Sequence, residues 1–291
     1  MKREMQAKIA AAAAMAIFGT IGLFRRWIDM PSGALALVRA LIGSAMLLAP
    51  VAFAKKKPDM RAVRGNMGWL CLSGACLGGN WILLFEAYNH TSVAVATLCY
   101  QMGPVLVLAL APLLFGERLG GRRALCAGAA LAGAALASGA FGGENAASMQ
   151  GTALALGAAA LYAGVMLCNR KIRGIEPLPR TLMQLLAAAA VMLPYVLATG
   201  ELAGLRLDAR SLALLPVVGI LHTGAAYALY FGALGALSAQ TAALLSYIDP
   251  ALAVLLSAFV LREPMGAPQI VGALLVLGAT LAGELPGRKK A

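Results

Sequence analysis

Along the whole chain, apolar runs of about twenty residues alternate with short stretches that collect charged residues, prolines and glycines. A helix needs roughly 20 mostly apolar residues to cross the hydrocarbon of a bilayer. Breaking the chain at its charge clusters and Pro/Gly turns predicts ten such helices, over residues 8–24, 33–53, 66–88, 92–115, 121–140, 151–169, 178–199, 211–233, 238–260 and 266–284. The loops between them are short, so no separate soluble domain is expected. The pattern predicts an all-α membrane protein. Its first run, which follows Lys2-Arg3, is read as an uncleaved span rather than a signal peptide.

The ninth run, residues 241–263, has a counterpart. A shift of 146 positions lays residues 231–263 over residues 85–117 without a gap. Coincident alanines and leucines mean little in a chain so rich in both. Phe85/Phe231, Ser92/Ser238, Pro104/Pro250 and Glu117/Glu263 in one register mean more. The shift spans five predicted helices, and an odd number reverses direction across the membrane. Two inverted repeats are therefore expected, residues 1–145 and 146–291. More faintly, Arg39 and Pro50 in the second helix parallel Gln184 and Pro194 in the seventh. Inverted repeats around a midplane site are a recurring plan of secondary transporters.

Two five-helix halves, each with a Pro in the fourth helix and a Glu 13 residues later, resemble the EamA-type branch of the drug/metabolite transporter superfamily. The stretch TSVAVATLCYQMGPVLVLALAPLLFGERL is especially similar to that family. The resemblance implies a basket of ten helices around a central cavity, lined mainly by helices 1, 3, 4, 6, 8 and 9. It also implies export of small metabolites, amino acids or drugs. Where a second repeat of the family has a plain apolar residue before its Pro, this chain has Asp249.

Composition agrees with a lipid-facing exterior: 61% of the residues are hydrophobic and 12% charged, where a soluble protein carries about a quarter charged. The formal net charge of +12 would point to nucleic acid in a soluble chain. Here 18 of the 24 Lys and Arg fall at the two termini and in the loops after helices 2, 4 and 6, on one side of the predicted membrane. The other side holds only Arg25, Arg26, Arg206, Arg210 and Arg262. Positive loops stay inside, so both termini are expected in the cytoplasm, and no nucleic-acid partner is expected. The five cysteines form no metal-ligand spacing, and no GxxxxGK[ST] run is present, so neither a metal, nor another cofactor, nor direct ATP drive is expected.

Charged and polar residues within the spans are the candidates for function. Arg39, about two turns into helix 2, is expected to snorkel outward or to pair structurally, and an Arg at this place also occurs in the family it resembles. Asp249, in the middle of helix 9, is either a structural acid satisfied by Arg39 or by backbone freed at Pro250, or a cavity acid. In the second case it meets a cationic group or carries a coupling proton. His222 in helix 8 is an interhelical hydrogen-bonder or a proton relay. Asn80, Trp81, Tyr100, Gln101, Gln184, Tyr227, Tyr230 and Tyr247 together form a polar and aromatic set suited to line a cavity for an amphipathic small molecule. Singly, each reads as an interhelical hydrogen bond or filler. Gln101 is equivalent to Tyr247 across the repeats, and Trp81 to Tyr227. Glu117 and Glu263, beside Arg118 and Arg262, read as structural or gating salt-bridge partners at helix ends. The fifth and tenth helices, dense in small residues, are expected to pack closely or to form a dimer contact, leaving monomer and homodimer both open.

The expected function is secondary transport of a small organic solute by alternating access, with export following from the resemblance. A channel is the alternative, although no continuous ring of similar polar groups is visible. An enzyme would need paired acids, metal ligands or a nucleophile with a base; His90 and His222 have no such spacing.

Overall fold

The computed structural model of the chain describes residues 2–54, 58–116, 120–138 and 146–284. Every regular element among them is helical, and each of the ten predicted segments is occupied by helix. The first segment is α1 (Lys2–Gly19) and α2 (Ile21–Trp27), jogged at Thr20; the second is α3 (Ser32–Ala52). A short α4 (Met60–Gly65) precedes the third, α5 (Met67–His90). The fourth divides into α6 (Val93–Tyr100) and α7 (Met102–Phe115), and α8 (Gly121–Ala137) follows. The second half begins with α9 (Ala146–Lys171) and α10 (Pro177–Ala198). Its next segment runs through α11 (Ala209–Pro216), a π-helical stretch Val217–Ala225 and α12 (Ala226–Leu234). The last two are α13 (Ala239–Ser246) with α14 (Ile248–Phe259), and α15 (Ala267–Glu284).

The 146-residue register reappears as backbone structure. Ser92 caps α6 by accepting from the Val95 N–H at 3.2 Å, and Ser238 caps α13 by accepting from Thr241 at 3.1 Å. Both helices are then interrupted after eight residues, at Gln101 and Tyr247. Three residues later stand Pro104 and Pro250. A proline has no N–H for the carbonyl four residues back, and its ring crowds that carbonyl, so each helix breaks one residue after Tyr100 or Ser246. The exits match too. Gly116 after α7 has φ 66° and Arg262 after α14 has φ 55°. Glycine adopts this left-handed turn freely, whereas a side chain there costs about 1–3 kcal/mol.

Packing repeats in the same way. α5 lies along α9 and α10, while α12 lies along α1 and the π-helical stretch lies along α3. α7 packs on α9, and α14 on α1. Three pairs cross between corresponding helices: α3 with α10, α6 with α14, α8 with α15. Each of these pairings thus has its counterpart five segments later. The α8–α15 crossing is a backbone contact. A Cβ at Gly272 would lie 2.5 Å from the Gly133 carbonyl oxygen, and one at Gly133 would lie 2.8 Å from the Val276 nitrogen. The small residues of these two helices are therefore used within the chain.

By length and composition, seven helical stretches can cross a membrane: Arg3–Trp27, Ser32–Ala52, Met67–His90, Val93–Leu110, Met149–Lys171, Pro177–Ala198 and Ala209–Leu234. Leu244–Phe259 and Ala267–Gly283 are apolar but shorter. At 1.5 Å per residue, the 17 residues of α8 reach only about 25 Å. Large apolar side chains such as Leu113, Leu125, Phe259 and Leu274 point outward, each at least two-thirds exposed. Lipid is the solvent that such a surface fits.

Candidate functional site

Two charged residues stand in the middle of the bundle. Arg39, on α3, is only 5% exposed, so it does not snorkel to the surface as the sequence allowed. Its guanidinium carbon sits 4.0 Å from the centroid of the Trp81 ring and 5.7 Å from that of Phe85. Its Nε donates to Thr223 Oγ1 at 2.8 Å. The aromatic faces and the hydroxyl replace the water that snorkelling would have reached, and a desolvated cation over Trp gains about 2 kcal/mol. The Thr223 hydroxyl spends its own hydrogen on the Val218 carbonyl.

Asp249, at the start of α14, faces the same region. It lies within electrostatic reach of Arg39 and of the ring hydroxyls of Tyr88, Tyr100, Tyr162 and Tyr227. It is half-buried although it lies at mid-span, and its carboxylate accepts no hydrogen bond from any described residue. No ion pair joins it to Arg39. Close approach of α1 brings it there: a Cβ at Gly19 would lie 2.6 Å from the Asp249 carbonyl oxygen. Around the acid, the Tyr100 and Tyr162 rings lie 5.2 Å apart, and Tyr227 stacks at 5.2 Å on Phe18 and 5.8 Å on Phe231. Tyr230 lies one step out, 5.4 Å from Phe231.

His222 and Thr223 are consecutive, yet both point inward, because the π-helical stretch widens the turn and brings side chains over carbonyls five residues back. His222 is fully buried, 2.7 Å from Thr20 Oγ1. Thr20 Oγ1 also donates to the Ile17 carbonyl at 2.8 Å, and the other ring nitrogen, Nδ1, faces the Val217 carbonyl at 3.4 Å, so the tautomer sets which partner of the Thr20–His222 contact donates. The ring meets Phe24 edge-on at 4.7 Å. It ties the π-helical stretch to the jog between α1 and α2.

The remaining polar residues separate into those that hold helices together and those that face inner space. Asn80, fully buried, donates to the Tyr100 hydroxyl at 3.1 Å and to the Ala158 carbonyl at 3.0 Å. Gln184 donates to Ser73 and, at 2.7 Å, to Asn169, apart from the tyrosine cluster. Gln101 is half-buried at the break after α6, and Tyr247 lies at the corresponding break after α13. Tyr247 and Pro104 line a pocket of about 250 Å³ with Arg123, Met166, Arg170 and Thr280, at the end of the bundle where Arg122 meets the Ala282 carbonyl.

At the opposite end a network of contacts joins the two halves, beside a polar pocket of about 570 Å³ lined by Arg25, Arg26, Asp29, Ser32, Glu86 and Glu201. Glu263 pairs with Arg26 of α2 at 2.6 Å, not with the adjacent Arg262, whose left-handed backbone leaves its side chain exposed. The same carboxylate accepts from the Val93 N–H at 2.8 Å and from Ser257 Oγ. Ser257 in turn accepts from the Ala94 N–H at 3.2 Å, while Ser92 takes that of Val95. The first three N–H groups of α6, which no intrahelical carbonyl reaches, are thus all taken, two of them by the far half of the chain. Arg26 also donates to the Thr91 carbonyl at 2.9 Å. Glu117, the sequence counterpart of Glu263, lies outside the described residues.

Residues 5–139 and, again, residues 149–282 match the EamA-like transporter family. The chain belongs to that family. It is a transporter of the drug/metabolite superfamily. An uncharacterized transporter of Bacillus subtilis (strain 168), YxxF, is 30% identical over 261 residues, covering 88% of this chain and 82% of the relative. A solved crystal structure at 19% identity superposes with a TM-score of 0.66 over 96% of this chain and 97% of its own, a likeness of fold.

In this EamA-like chain sequence reasoning did not offer Thr20, Arg26, Phe85, Tyr162, Thr223 or Ser257 as site residues, although Phe85 and Arg26 entered through the repeat and the charge count. Tyr162 carried a signal, as one of only seven tyrosines and placed mid-span. The hydroxyl residues carried none, since serine and threonine are ordinary helix-packing residues in membranes.

Proposed function

We propose that this EamA-like chain is a secondary transporter of ten membrane-spanning helices, formed as two inverted five-helix repeats over residues 1–145 and 146–291. It moves a small organic metabolite, amino acid or drug across the cytoplasmic membrane by alternating access, in the direction of export, with both termini in the cytoplasm. It is not an enzyme. The observation that carries the reading is the doubled local structure: paired caps at Ser92 and Ser238, paired breaks at Gln101 and Tyr247, and helix pairings that recur five segments on. Two halves with one local structure in opposite orientations can exchange conformations, and the exchange moves access from one side to the other. At the Glu263 end a network joins the halves, and a pocket at the Arg170 end reaches Tyr247. Between them stand Asp249 and its tyrosines, where Asp249 takes a cationic group or a coupling proton.

Reconstitution into liposomes tests this. Uptake that saturates and is accelerated by solute loaded on the far side identifies a carrier; linear flux without counter-transport identifies a channel, and chemical change in the solute an enzyme. The Asp249→Asn variant is expected to lose transport or its pH dependence while remaining folded. Wild-type rate and pH profile in that variant would remove Asp249 from the mechanism.

A further inference from the structure

The Arg39 guanidinium is bound on one side and empty on the other. Stacking on Trp81 occupies its face, and Thr223 occupies Nε. The two terminal nitrogens hydrogen-bond to no described residue, although Arg39 is only 5% exposed. Nor are they sealed in: among the described residues the fully buried polar atoms without a partner are Arg25 Nε, Ser44 Oγ and Thr152 Oγ1. The free edge of Arg39 therefore opens on inner space rather than on packed apolar atoms. Asp249 lies within electrostatic reach of Arg39, its carboxylate likewise without a hydrogen bond to any described residue and not ion-paired with it.

A stacked guanidinium keeps its in-plane N–H groups, which form the fork that matches a carboxylate. The second half shows what the same position looks like when it is only structural. Gln184, the counterpart of Arg39, spends its amide on Ser73 and Asn169. Arg39 is instead anchored at the root of its fork, and the anchor is rigid. Thr223 sits in the π-helical stretch, its hydroxyl fixed by Val218, and Gly43 leaves no room beneath its methyl group, which a Cβ there would strike.

We infer that Arg39 is an anion-binding residue of the mid-span site, taking the carboxylate of a zwitterionic solute whose ammonium faces Asp249. Thr223 is the positioning residue that aims the fork. The inference rests on the transport reading for its site, and its own content is the carboxylate.

Binding to the purified full-length protein decides it, without transport. The probes are L-tryptophan, L-leucine and L-glutamine, each against its own carboxamide, titrated by calorimetry at one pH. At least one acid is expected to bind about tenfold or more tightly than its amide, as a lost bidentate charged contact requires. Arg39→Gln should collapse that ratio to near one. Thr223→Val, which keeps the shape and removes the hydroxyl, should lower the ratio, and Thr223→Ser should restore it. Should Arg39→Gln fail to fold, the Thr223 pair carries the test. A wild-type protein that treats all three acids and amides alike overturns the inference. So does a folded Arg39→Gln or Thr223→Val variant that keeps the wild-type ratio. Counterflow of any other solute in the same preparation would leave the transport reading standing while the carboxylate assignment fell.

Discussion

Removing the Glu263 carboxylate should loosen one end of the bundle by a calculable amount. Its ion pair with Arg26 is 2.6 Å long but partly exposed, with side chains 32% and 14% accessible. Solvent screening limits that part to about 0.5–1 kcal/mol. The larger part is the Val93 N–H, at a residue only 1% exposed. A buried donor left without an acceptor costs about 1–3 kcal/mol. Glu263→Ala should therefore destabilise the protein by about 1.5–4 kcal/mol. Glu263→Gln keeps a carbonyl oxygen for Val93 and loses only the charge, so about 1–2 kcal/mol is expected, at the strength of a charged against a neutral hydrogen bond. Denaturant titration in mixed micelles, read as a shift in midpoint at constant slope, measures both. Combining each change with Arg26→Gln isolates the pair, and the coupling should fall near the 0.5–1 kcal/mol assigned to it. The reasoning fails if Ala and Gln cost the same, since the Val93 cap is what separates them. It fails equally if both fall below about 0.5 kcal/mol, the range of an ordinary surface change.

Other changes test other contacts. Gly272→Ala drives a methyl group into the Gly133 carbonyl and the Ala137 nitrogen of α8; it should cost about 1–3 kcal/mol by overpacking, whereas Gly278→Ala, with nothing within 4 Å, should be close to neutral in the same titration. Arg262→Gly relieves a left-handed side chain, φ 55°, and should leave stability unchanged or raise it by up to about 1 kcal/mol, because the residue makes no ion pair with its neighbour Glu263. Asp208 caps α11 by accepting from the Ser211 N–H at 2.9 Å, and Ser211, through its hydroxyl and then its amide, holds the Asp208 carboxyl below the ordinary carboxylate range. A depressed folded value means that the stabilisation is full above the unfolded value and lost as pH falls through the folded one. Asp208→Asn should flatten that acid limb of the unfolding curve, and an unchanged limb would show that the cap is not ionised.

The positions of the helices were open to sequence reasoning because the causes are local. A run of about twenty apolar residues can be satisfied in lipid only as helix, and a serine cap or a proline break acts within four residues of itself. The caps at Ser92 and Ser238, the breaks before Pro104 and Pro250 and the left-handed exit at Gly116 follow from such short-range chemistry, so the repeat seen in letters returned as backbone. The left-handed Arg262 runs against local preference and is held by the contacts around it. What a charged side chain does in the middle of a bundle is decided by whatever the fold sets opposite it. Glu263 had an arginine beside it in sequence and took one 237 residues away, because the turn at Arg262 aims the carboxylate at α6 and α2. Arg39 was free to reach outward until Trp81 and Thr223, on two other helices, gave it contacts within the bundle. The aim of Thr223 depends on a π-helical turn that no periodicity announces, since one extra residue in a turn is a tertiary adjustment. The sequence by itself determined which stretches are helical, where they break and that one half echoes the other. Only the packing of the helical segments decided that Arg39 and Asp249 come within electrostatic reach of each other, with neither satisfying the other.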